Sequence, residues 1–174
     1  MPSLAITGSP AVGKTTVAQL MGQQGWEVLS VSELAKTFDC QGVYDEAMKS
    51  QEIDIHKLAE EFLPGANKQQ LIDGHLSHFL SVDRIVLLRC EPGELQQRLK
   101  ARGYDDAKIT ANVEWELLAG TWAEIIEFDI TQPILELDAS KLSAEQVVNA
   151  ISTWLTDDLD STIPENAIDW LGKR

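Results

Sequence analysis

The apolar positions of the chain fall into two patterns that alternate along it. Short apolar runs predict five strands, at residues 3–7, 27–30, 70–73, 84–89 and 133–137. The run at 84–89 is apolar almost throughout, as expected of a strand that is buried on both faces of a parallel sheet. Between the strands, apolar residues recur at helical spacing. Strands that alternate with helices predict an α/β fold, a three-layer sandwich built on a five-stranded parallel sheet.

The remaining segments have weaker patterns. The segment 37–51 is polar and irregular, and it predicts no regular element. Ser32 is expected to cap a short helix, and Ser143 a final one. After Gly103 the pattern predicts one long helix from about 105 to 128. Its apolar stripe is interpreted as core packing and not as a base-stacking platform; it consists of Trp115, Leu118, Trp122, Ile125 and Ile126.

Length and charge limit the possible functions. The 174 residues fit a single domain, taken as 1–156, followed by an acidic tail at 157–174 in which Ile168, Trp170 and Leu171 can dock. Fourteen basic against 28 acidic residues give a net charge of −14, which disfavours broad nucleic-acid binding. An acidic surface suits a basic protein partner, but it equally fits solubility or a salty cytoplasm.

Location and cysteine chemistry follow from simpler features. No apolar stretch approaches the roughly 18 residues that span a bilayer, and the start of the chain lacks the basic region of a signal peptide. An intracellular, cytoplasmic location is therefore expected. Cys40 and Cys90 lie far apart without metal-ligand spacing, so they are interpreted as buried or idle thiols.

The most specific motif is GSPAVGKTT at residues 8–16, which follows a predicted strand and precedes a predicted helix. It is a P-loop, whose backbone N–H groups turn toward the α- and β-phosphates of a nucleotide. Lys14 is expected to reach the β- and γ-phosphates of ATP, and Thr15 to bind Mg²⁺. The predicted nucleotide-binding positions of the loop are Gly8, Ala11, Gly13, Lys14, Thr15 and Thr16.

Two polar residues follow the third strand. Asp73 ends it, where a carboxylate beside a P-loop holds Mg²⁺ or its water shell. The alternative is that Asp73 only caps the next segment. His75 is a candidate to position an attacking water or to transfer a proton, although a lone histidine equally often makes a plain polar contact.

Arg98 and Arg102 lie one helical turn apart before Gly103 and are expected to point to one side. On a movable lid, such arginines can close over transferring phosphates. Their alternative role is to stabilise an exposed helix end. The segment NKQQ at 67–70 resembles the guanine-reading motif of GTPases, but Gln70 replaces the required carboxylate, so a GTPase is disfavoured.

With these motifs in place, the chain resembles the adenylate kinase isoenzyme six family. That family includes the coilin-interacting nuclear ATPase and archaeal proteins called "putative adenylate kinase". The resemblance covers about residues 1–155 and is carried by GSPAVGKTT, by VSELA at 31–35, by LIDGH at 71–75 and by LKARGYDDAKITANVEWE at 99–116.

The resemblance implies an adenylate-kinase-like fold with a nucleotide-monophosphate-binding insert at about 30–53 and a short lid at about 102–110. It implies nucleoside monophosphate (NMP) kinase and ATPase activities, with ATP as substrate and Mg²⁺ as cofactor. It also implies a role in small ribosomal subunit maturation, with a platform ribosomal protein as partner. Asp73 and His75 correspond to the Walker-B-like pair, Arg102 to the lid arginine and Lys141 to a lysine that flanks the adenine.

The chain departs from the family at two positions. Ala11 stands where the loop often has glycine, and Lys36 lies near the place of an arginine that grips the monophosphate. Because lysine is a point charge and not a planar fork, AMP affinity and kcat are the properties most affected. Three functions remain open: an NMP kinase, an assembly-factor ATPase with residual kinase activity, and a small-metabolite kinase.

Overall fold

The computed structural model describes residues 2–157 and 160–173; residues 1, 158, 159 and 174 of the predicted domain and tail lie outside the described residues. Its main sheet has five parallel strands in the order β2-β5-β1-β6-β7. These strands are β1 (Ser3–Thr7), β2 (Glu27–Ser30), β5 (Gln70–Asp73), β6 (Arg84–Arg89) and β7 (Ile134–Asp138). All five strands predicted from the sequence are confirmed.

Helices cover both faces of this sheet, because successive side chains of its central strands point to opposite sides. Leu4 and Ile6 of β1 pack on one face and Ala5 packs on the other, all fully buried. The first face is covered by α1 (Lys14–Gln23), α4 (Pro92–Ala101), α5 (Asp106–Leu117) and α7 (Ala144–Asp157). The second is covered by α2 (Val31–Thr37), α3 (Ile55–Glu61) and α6 (Gly120–Glu127). The three-layer α/β sandwich is thus confirmed.

The segment expected to be irregular forms a hairpin of two antiparallel strands, β3 (Gln41–Asp45) and β4 (Ser50–Ile53). Most of its residues are exposed on both faces, so the sequence shows no apolar alternation there. The predicted cap of α2, Ser32, is also wrong. Ser30, not Ser32, accepts the bond from the Glu33 N–H, because Ser30 keeps an extended backbone at the end of β2.

The long helix predicted at 105–128 is instead two helices. Ala119 adopts a left-handed backbone with φ of 52° between α5 and α6. Gly120 then lies directly against the Trp115 ring, where a Cβ atom would come within 2.2 Å of a ring carbon. The break divides the predicted apolar stripe: Trp122 and Ile125 are buried, whereas Trp115, Leu118 and Ile126 are exposed. The core assignment of that stripe is therefore wrong for three of its five members.

The C-terminal segment 160–173 contacts β7, an edge strand of the main sheet, through Thr162. The Thr162 N–H donates to the Ile134 carbonyl at 2.7 Å, and the Thr162 hydroxyl accepts from the Glu136 N–H at 3.1 Å. Trp170 is buried, whereas Leu171 of the same expected docking set is exposed. Within the described part of the chain, no helix is long and apolar enough to cross a membrane.

Candidate active site

A cavity of about 620 Å³ opens at the carboxyl ends of β1 and β5, where the P-loop begins and Asp73 ends its strand. One wall comes from the P-loop and α1, a second from α2 and the β3–β4 hairpin, and a third from α5 and α6. The polar side chains in its wall are Ser9, Lys14, Thr15, Ser30, Ser32, Ser50, Asp73, His75, Arg102, Tyr104, Lys108, Asn112, Thr121 and Glu124.

The P-loop is shaped by close backbone packing. Gly8 has φ of 132°, and a Cβ atom there would lie 2.3 Å from the Leu88 carbonyl oxygen, so only glycine fits. Ala11 also adopts a left-handed backbone, with φ of 66°. Gly13 occupies the position that caps α1 without a side-chain bond to the helix. The first N–H groups of α1 therefore face the cavity in the orientation that binds phosphate.

Lys14 folds back over the loop. Its ammonium donates to the carbonyl oxygens of Gly8 and Ser9, each at 2.7 Å. Burial lowers the Lys14 pKa to about 8, against the opposing effect of the Asp73 carboxylate, and the Arg102 charge lowers it further. The charged ammonium thus has neutral carbonyl partners in place of a carboxylate, which leaves it available to an anion.

Thr15 and Asp73 supply oxygen atoms to the floor of the cavity, where the Thr15 hydroxyl donates to Asp73 Oδ2 at 3.0 Å. A hydroxyl and a carboxylate are hard oxygen ligands, and Mg²⁺ at nucleotide sites takes few protein ligands beside phosphates and waters. The two residues therefore fit Mg²⁺, and the alternative in which Asp73 only caps a segment does not describe its contact with Thr15.

His75 lies in the cavity wall two residues beyond Asp73. The residue is exposed to the cavity, and desolvation by the surrounding protein together with the Lys14 charge lowers the pKa of its imidazole to about 4. The imidazole is accordingly neutral at pH 7 and can accept a hydrogen bond. Its carbonyl oxygen accepts from the Thr7 hydroxyl at 3.0 Å, which ties it to the end of β1.

A buried histidine links this wall to the sheet. His78 Nδ1 lies 2.8 Å from the Thr7 hydroxyl, and its Nε2 lies 3.0 Å from Glu124 Oε2. Glu124 itself lines the cavity. His78 therefore holds a carboxylate of α6 in the wall of the cavity.

The predicted arginine pair does not point to one side. Arg102 lies in the cavity wall with Lys108 of α5. Arg98 instead pairs with Glu94 at 2.9 Å and donates to the Ala139 carbonyl at 3.2 Å. Arg102 keeps a helical backbone, and the chain leaves the helix only at Gly103, which has φ of 75°. The two side chains differ because Arg98 is held by Glu94 and the Ala139 carbonyl, whereas Arg102 lies in the wall of the larger cavity.

The hairpin and the start of α5 touch above the cavity. The Lys49 ammonium lies 3.4 Å from Asp105 Oδ2. Asp105 also caps α5 by accepting from the Lys108 N–H at 2.9 Å, and this bond lowers its pKa. The predicted insert and the predicted lid therefore meet, through an exposed ion pair of the kind that contributes up to about 1 kcal/mol.

Apolar side chains flank the cations of the cavity. Met48 and Ile53 of the hairpin region and the Trp115 ring of α5 lie in its wall. Trp115 is 42% exposed, and its ring contacts Gly120 as well as lining the cavity. Lys36, the lysine expected near the monophosphate, is exposed and is not among the residues of this wall. Arg102 and Lys108 are the cations that the structure places there beside Lys14.

A smaller cavity of about 210 Å³ lies on the other side of the P-loop. Val12, Gly13, Thr16 and Val17 form one wall, and Arg98, Ala139, Leu142, Ala144 and Val147 form the other. Lys141, the predicted adenine-flanking residue, is absent from these walls; its ammonium lies 3.5 Å from Asp138 Oδ2. The next residue, Leu142, lines the cavity in its place.

Behind the P-loop, three charged residues form a buried cluster, here called the Arg89 cluster: Arg89, Glu116 and Glu136. Arg89 Nε donates to Glu116 Oε1 and its Nη1 to Glu136 Oε1, both at 2.7 Å. Glu116 also accepts from the Cys90 N–H at 3.2 Å and from the Ser9 hydroxyl at 2.9 Å. All three residues of the cluster have nearly inaccessible side chains.

Two tryptophans and the C-terminal segment complete the cluster. Trp122 Nε1 donates to Glu136 at 2.8 Å, and Trp170 Nε1 donates to Glu116 at 2.9 Å. The Ile168 N–H donates to Glu136 at 2.8 Å, while its carbonyl accepts from Arg89 at 3.2 Å. The cluster therefore connects β6, α5, β7 and the C-terminal segment to the P-loop.

Sequence reasoning missed Ser9, Lys108, Glu124 and the whole Arg89 cluster. Glu116 lies within the ANVEWE segment, but a glutamate in a helix has no periodic signal that marks it as buried. Arg89 ends strand β6 directly after four apolar residues, 85–88, and a charged residue in that position is the one hint of its burial that the sequence offers.

Comparison with known sequences agrees with this geometry. A family model described as an AAA domain matches residues 4–119. A "Putative adenylate kinase" of Thermococcus onnurineus is 36% identical over 172 residues, covering 96% of this chain and 90% of the relative. Its counterpart of the same name in Archaeoglobus fulgidus is 32% identical over 172 residues, covering 98% and 92%.

Solved structures share the fold at low identity. A deoxyadenosine kinase from M. mycoides with bound dATP superposes with a TM-score of 0.54 at 17% identity, covering 89% of this chain and 99% of that one. The YorR protein of Bacillus subtilis, in complex with phosphorylated GDP, gives 0.60 at 15% identity, covering 90% and 96%. These likenesses show the fold alone, an α/β P-loop kinase sandwich.

Proposed function

The chain belongs to the adenylate-kinase-like family of these archaeal relatives, and from this premise we propose that it transfers the γ-phosphoryl group of ATP to AMP or another NMP. The observation that carries the proposal is the single cavity in which Lys14, Arg102 and Lys108 face the Thr15–Asp73 pair. Three cations around one space match the charge of phosphates that must be brought together for transfer.

Each cavity suits one part of the reaction. The smaller one, with Val12, Leu142 and Val147 in its wall, provides apolar surface for the adenine of ATP beside the P-loop. The triphosphate then lies over the loop, and its γ-phosphate enters the larger cavity. The NMP binds between the hairpin and α5, where Trp115 offers a ring face to its base.

The residues act on the phosphates by position and charge. Lys14 leaves the carbonyls of Gly8 and Ser9 to contact the β- and γ-phosphates, and Arg102 with Lys108 neutralises charge on the transferred group. Thr15 and Asp73 would hold Mg²⁺, which would supply positive charge to the phosphate oxygens. An oxygen of the NMP phosphate attacks the γ-phosphorus, and the bond from that phosphorus to the β-γ bridging oxygen breaks, which releases ADP.

Measurement of ADP formed from ATP and Mg²⁺, with and without each NMP, tests the proposal. A rate that rises many-fold with one NMP and saturates is the expected result. A rate that no NMP raises would contradict it and would favour a small-metabolite acceptor. Thr15→Val tests the metal site at nearly equal side-chain volume, because it removes the hydroxyl that donates to Asp73. It should reduce the dependence of the rate on Mg²⁺ concentration.

We propose ATPase activity as a second function, which His75 supports. Its imidazole is neutral at pH 7 and open to the cavity near Lys14, so it can accept a hydrogen bond from an attacking water. His75→Ala should reduce ATP hydrolysis more than transfer to AMP, since AMP brings its own positioned oxygen. Equal losses in both reactions at saturating substrates would reject this role.

The net charge of −14 supports a basic protein partner, and in an assembly-factor function this would be a ribosomal protein of the small subunit. Use of intracellular ATP fits such a role in the cytoplasm. Titration of the purified platform protein at two salt concentrations, with ADP and with a non-hydrolysable ATP analogue, tests the function. Binding that weakens with salt and differs between nucleotides is expected; no binding in any state would leave the NMP kinase alone.

A further inference from the structure

We infer that the C-terminal segment 160–173 is a working part of the nucleotide site, because Trp170 holds Glu116 and Glu116 holds the P-loop residue Ser9. The inference rests on the proposed binding of ATP at the P-loop. It gives Trp170 and Glu116 the role of positioning residues, which act on the phosphates through Ser9 and do not touch them.

The path is short and every step in it is a hydrogen bond. Trp170 Nε1 donates to Glu116 Oε1 at 2.9 Å, and the Ser9 hydroxyl donates to the other oxygen, Oε2, at 2.9 Å. Glu116 is 3% exposed, Ser9 2% and Trp170 5%. Water therefore does not replace these bonds while the segment is docked, and the carboxylate orientation is fixed from both sides.

The bond to Ser9 matters most when nucleotide binds. In the present conformation Lys14 holds Ser9 from the cavity side, through its bond to the Ser9 carbonyl at 2.7 Å. To reach phosphate, Lys14 has to give up that bond. Glu116 then keeps Ser9 in place from the interior, so that the loop does not lose its shape as its own lysine departs.

Two cationic side chains and the Ile168 backbone help to hold Trp170 in its buried position. Arg89 lies 5.9 Å and Lys173 5.0 Å from the ring, so the indole lies near two cations. The Ile168 backbone adds two bonds to the Arg89 cluster, one to Glu136 and one from Arg89. Loss of the Trp170 ring removes the largest buried group of the segment and opens Glu116 to water, which weakens its hold on Ser9.

Four full-length variants test the inference by calorimetric titration with Mg·ADP and by steady-state kinetics. Trp170→Ala should weaken Mg·ADP binding about threefold to tenfold and raise KM for ATP more than it lowers kcat. Ser9→Ala removes only the last bond of the path and should weaken binding to a similar degree. Leu171→Ala, an exposed neighbour in the same segment, should leave binding within about twofold. Trp122→Phe removes one indole donor from the Arg89 cluster at Glu136, which does not contact the loop, and should lower Tm without changing binding.

The decisive measurement is the double variant Ser9→Ala with Trp170→Ala. If Trp170 acts through Ser9, the double variant should bind Mg·ADP no more weakly than Ser9→Ala alone, whereas a general loss of stability would make the two effects multiply. Multiplying effects, or unchanged binding in Ser9→Ala, would overturn the inference, and Ser9→Ala keeps the test valid if Trp170→Ala does not fold. Absence of Mg·ADP binding in the wild type would instead contradict the proposed function.

Discussion

The cavity and the Arg89 cluster are two charged regions on either side of the P-loop, and they treat charge in opposite ways. In the cluster, Arg89 is buried between the carboxylates of Glu116 and Glu136. It also donates to two backbone carbonyl oxygens, those of Ile168 and Glu116. In the cavity, Lys14 is held by backbone carbonyls, and its pKa is lowered to about 8 by burial. Buried charges that are fully paired are costly to break one at a time, whereas a cavity with excess positive charge is suited to bind an anion.

The largest effect is expected where the cluster is broken. Arg89→Met leaves Glu116 and Glu136 buried without their cation and should lower the free energy of unfolding by about 3–5 kcal/mol. Denaturant unfolding measures this. Lys68→Met, which removes an exposed ion pair with Glu27 at 2.9 Å, is the matched control and should cost under about 1 kcal/mol. Equal costs would show that the burial of the cluster is energetically irrelevant.

The next effect is expected in the cavity and in activity, not in stability. Lys14→Ala should lower kcat/KM by about 10²–10³-fold, because it removes a cation that contacts the transferred phosphates. Its Tm should be unchanged or slightly higher, since a partly desolvated ammonium is lost. The rate of ADP formation gives kcat/KM, and thermal melting gives Tm. A fall in Tm like that of Arg89→Met would contradict the comparison.

Trp115 tests whether the cavity also reads a base. Trp115→Ala should raise KM for the NMP about tenfold, with a smaller change in KM for ATP, because stacking on an aromatic ring contributes about 1–3 kcal/mol per base. Trp115→Phe keeps a ring and should recover most of the affinity. Equal changes in both KM values would place Trp115 in packing against Gly120 and not in recognition of the NMP.

The pH dependence should follow the lowered pKa of Lys14. In the free enzyme the ammonium loses its proton as pH rises through about 8, so kcat/KM for ATP should be constant below that pH and fall above it. The fall approaches about tenfold per pH unit. Bound phosphate favours the charged ammonium, so the fall in kcat should begin at higher pH. A flat kcat/KM from pH 7 to about 9.5 would contradict this assignment.

The smallest effect is expected at the contact between the hairpin and α5. Lys49→Ala removes the exposed pair with Asp105 and should change the free energy of unfolding by no more than about 0.5 kcal/mol. KM for the NMP should change less than about twofold. A larger change in KM would show that this contact helps to close the cavity over the NMP.

The sequence predicted those parts of the molecule whose determinants are local. The P-loop pattern specifies a strand, a turn and a helix within about 20 residues, and Asp73 follows directly from the end of a strand that neighbours β1. A continuous apolar run also marks a buried parallel strand locally, and the predicted limits of β6 therefore agree with the structure.

The parts that escaped prediction depend on distant partners. Arg89 and Glu116 meet through the packing of α5 on the sheet, and neither residue carries a local signal of burial. Ala119 favours a helix by propensity, yet the packing of Gly120 on Trp115 breaks the helix there. The β3–β4 hairpin is largely exposed on both faces, so it lacks the alternation that identifies a strand.

The position of Thr162 beside β7 also bears on aggregation. An edge strand offers unpaired N–H and C=O groups to strands of other molecules. Thr162 occupies this edge through its bonds to Ile134 and Glu136, while the opposite edge, β2, carries Glu27 in an ion pair with Lys68. The C-terminal segment thus covers the edge strand β7 at Thr162, and charged side chains lie at the edge strand β2. Both features oppose the pairing of these edges with strands of other molecules.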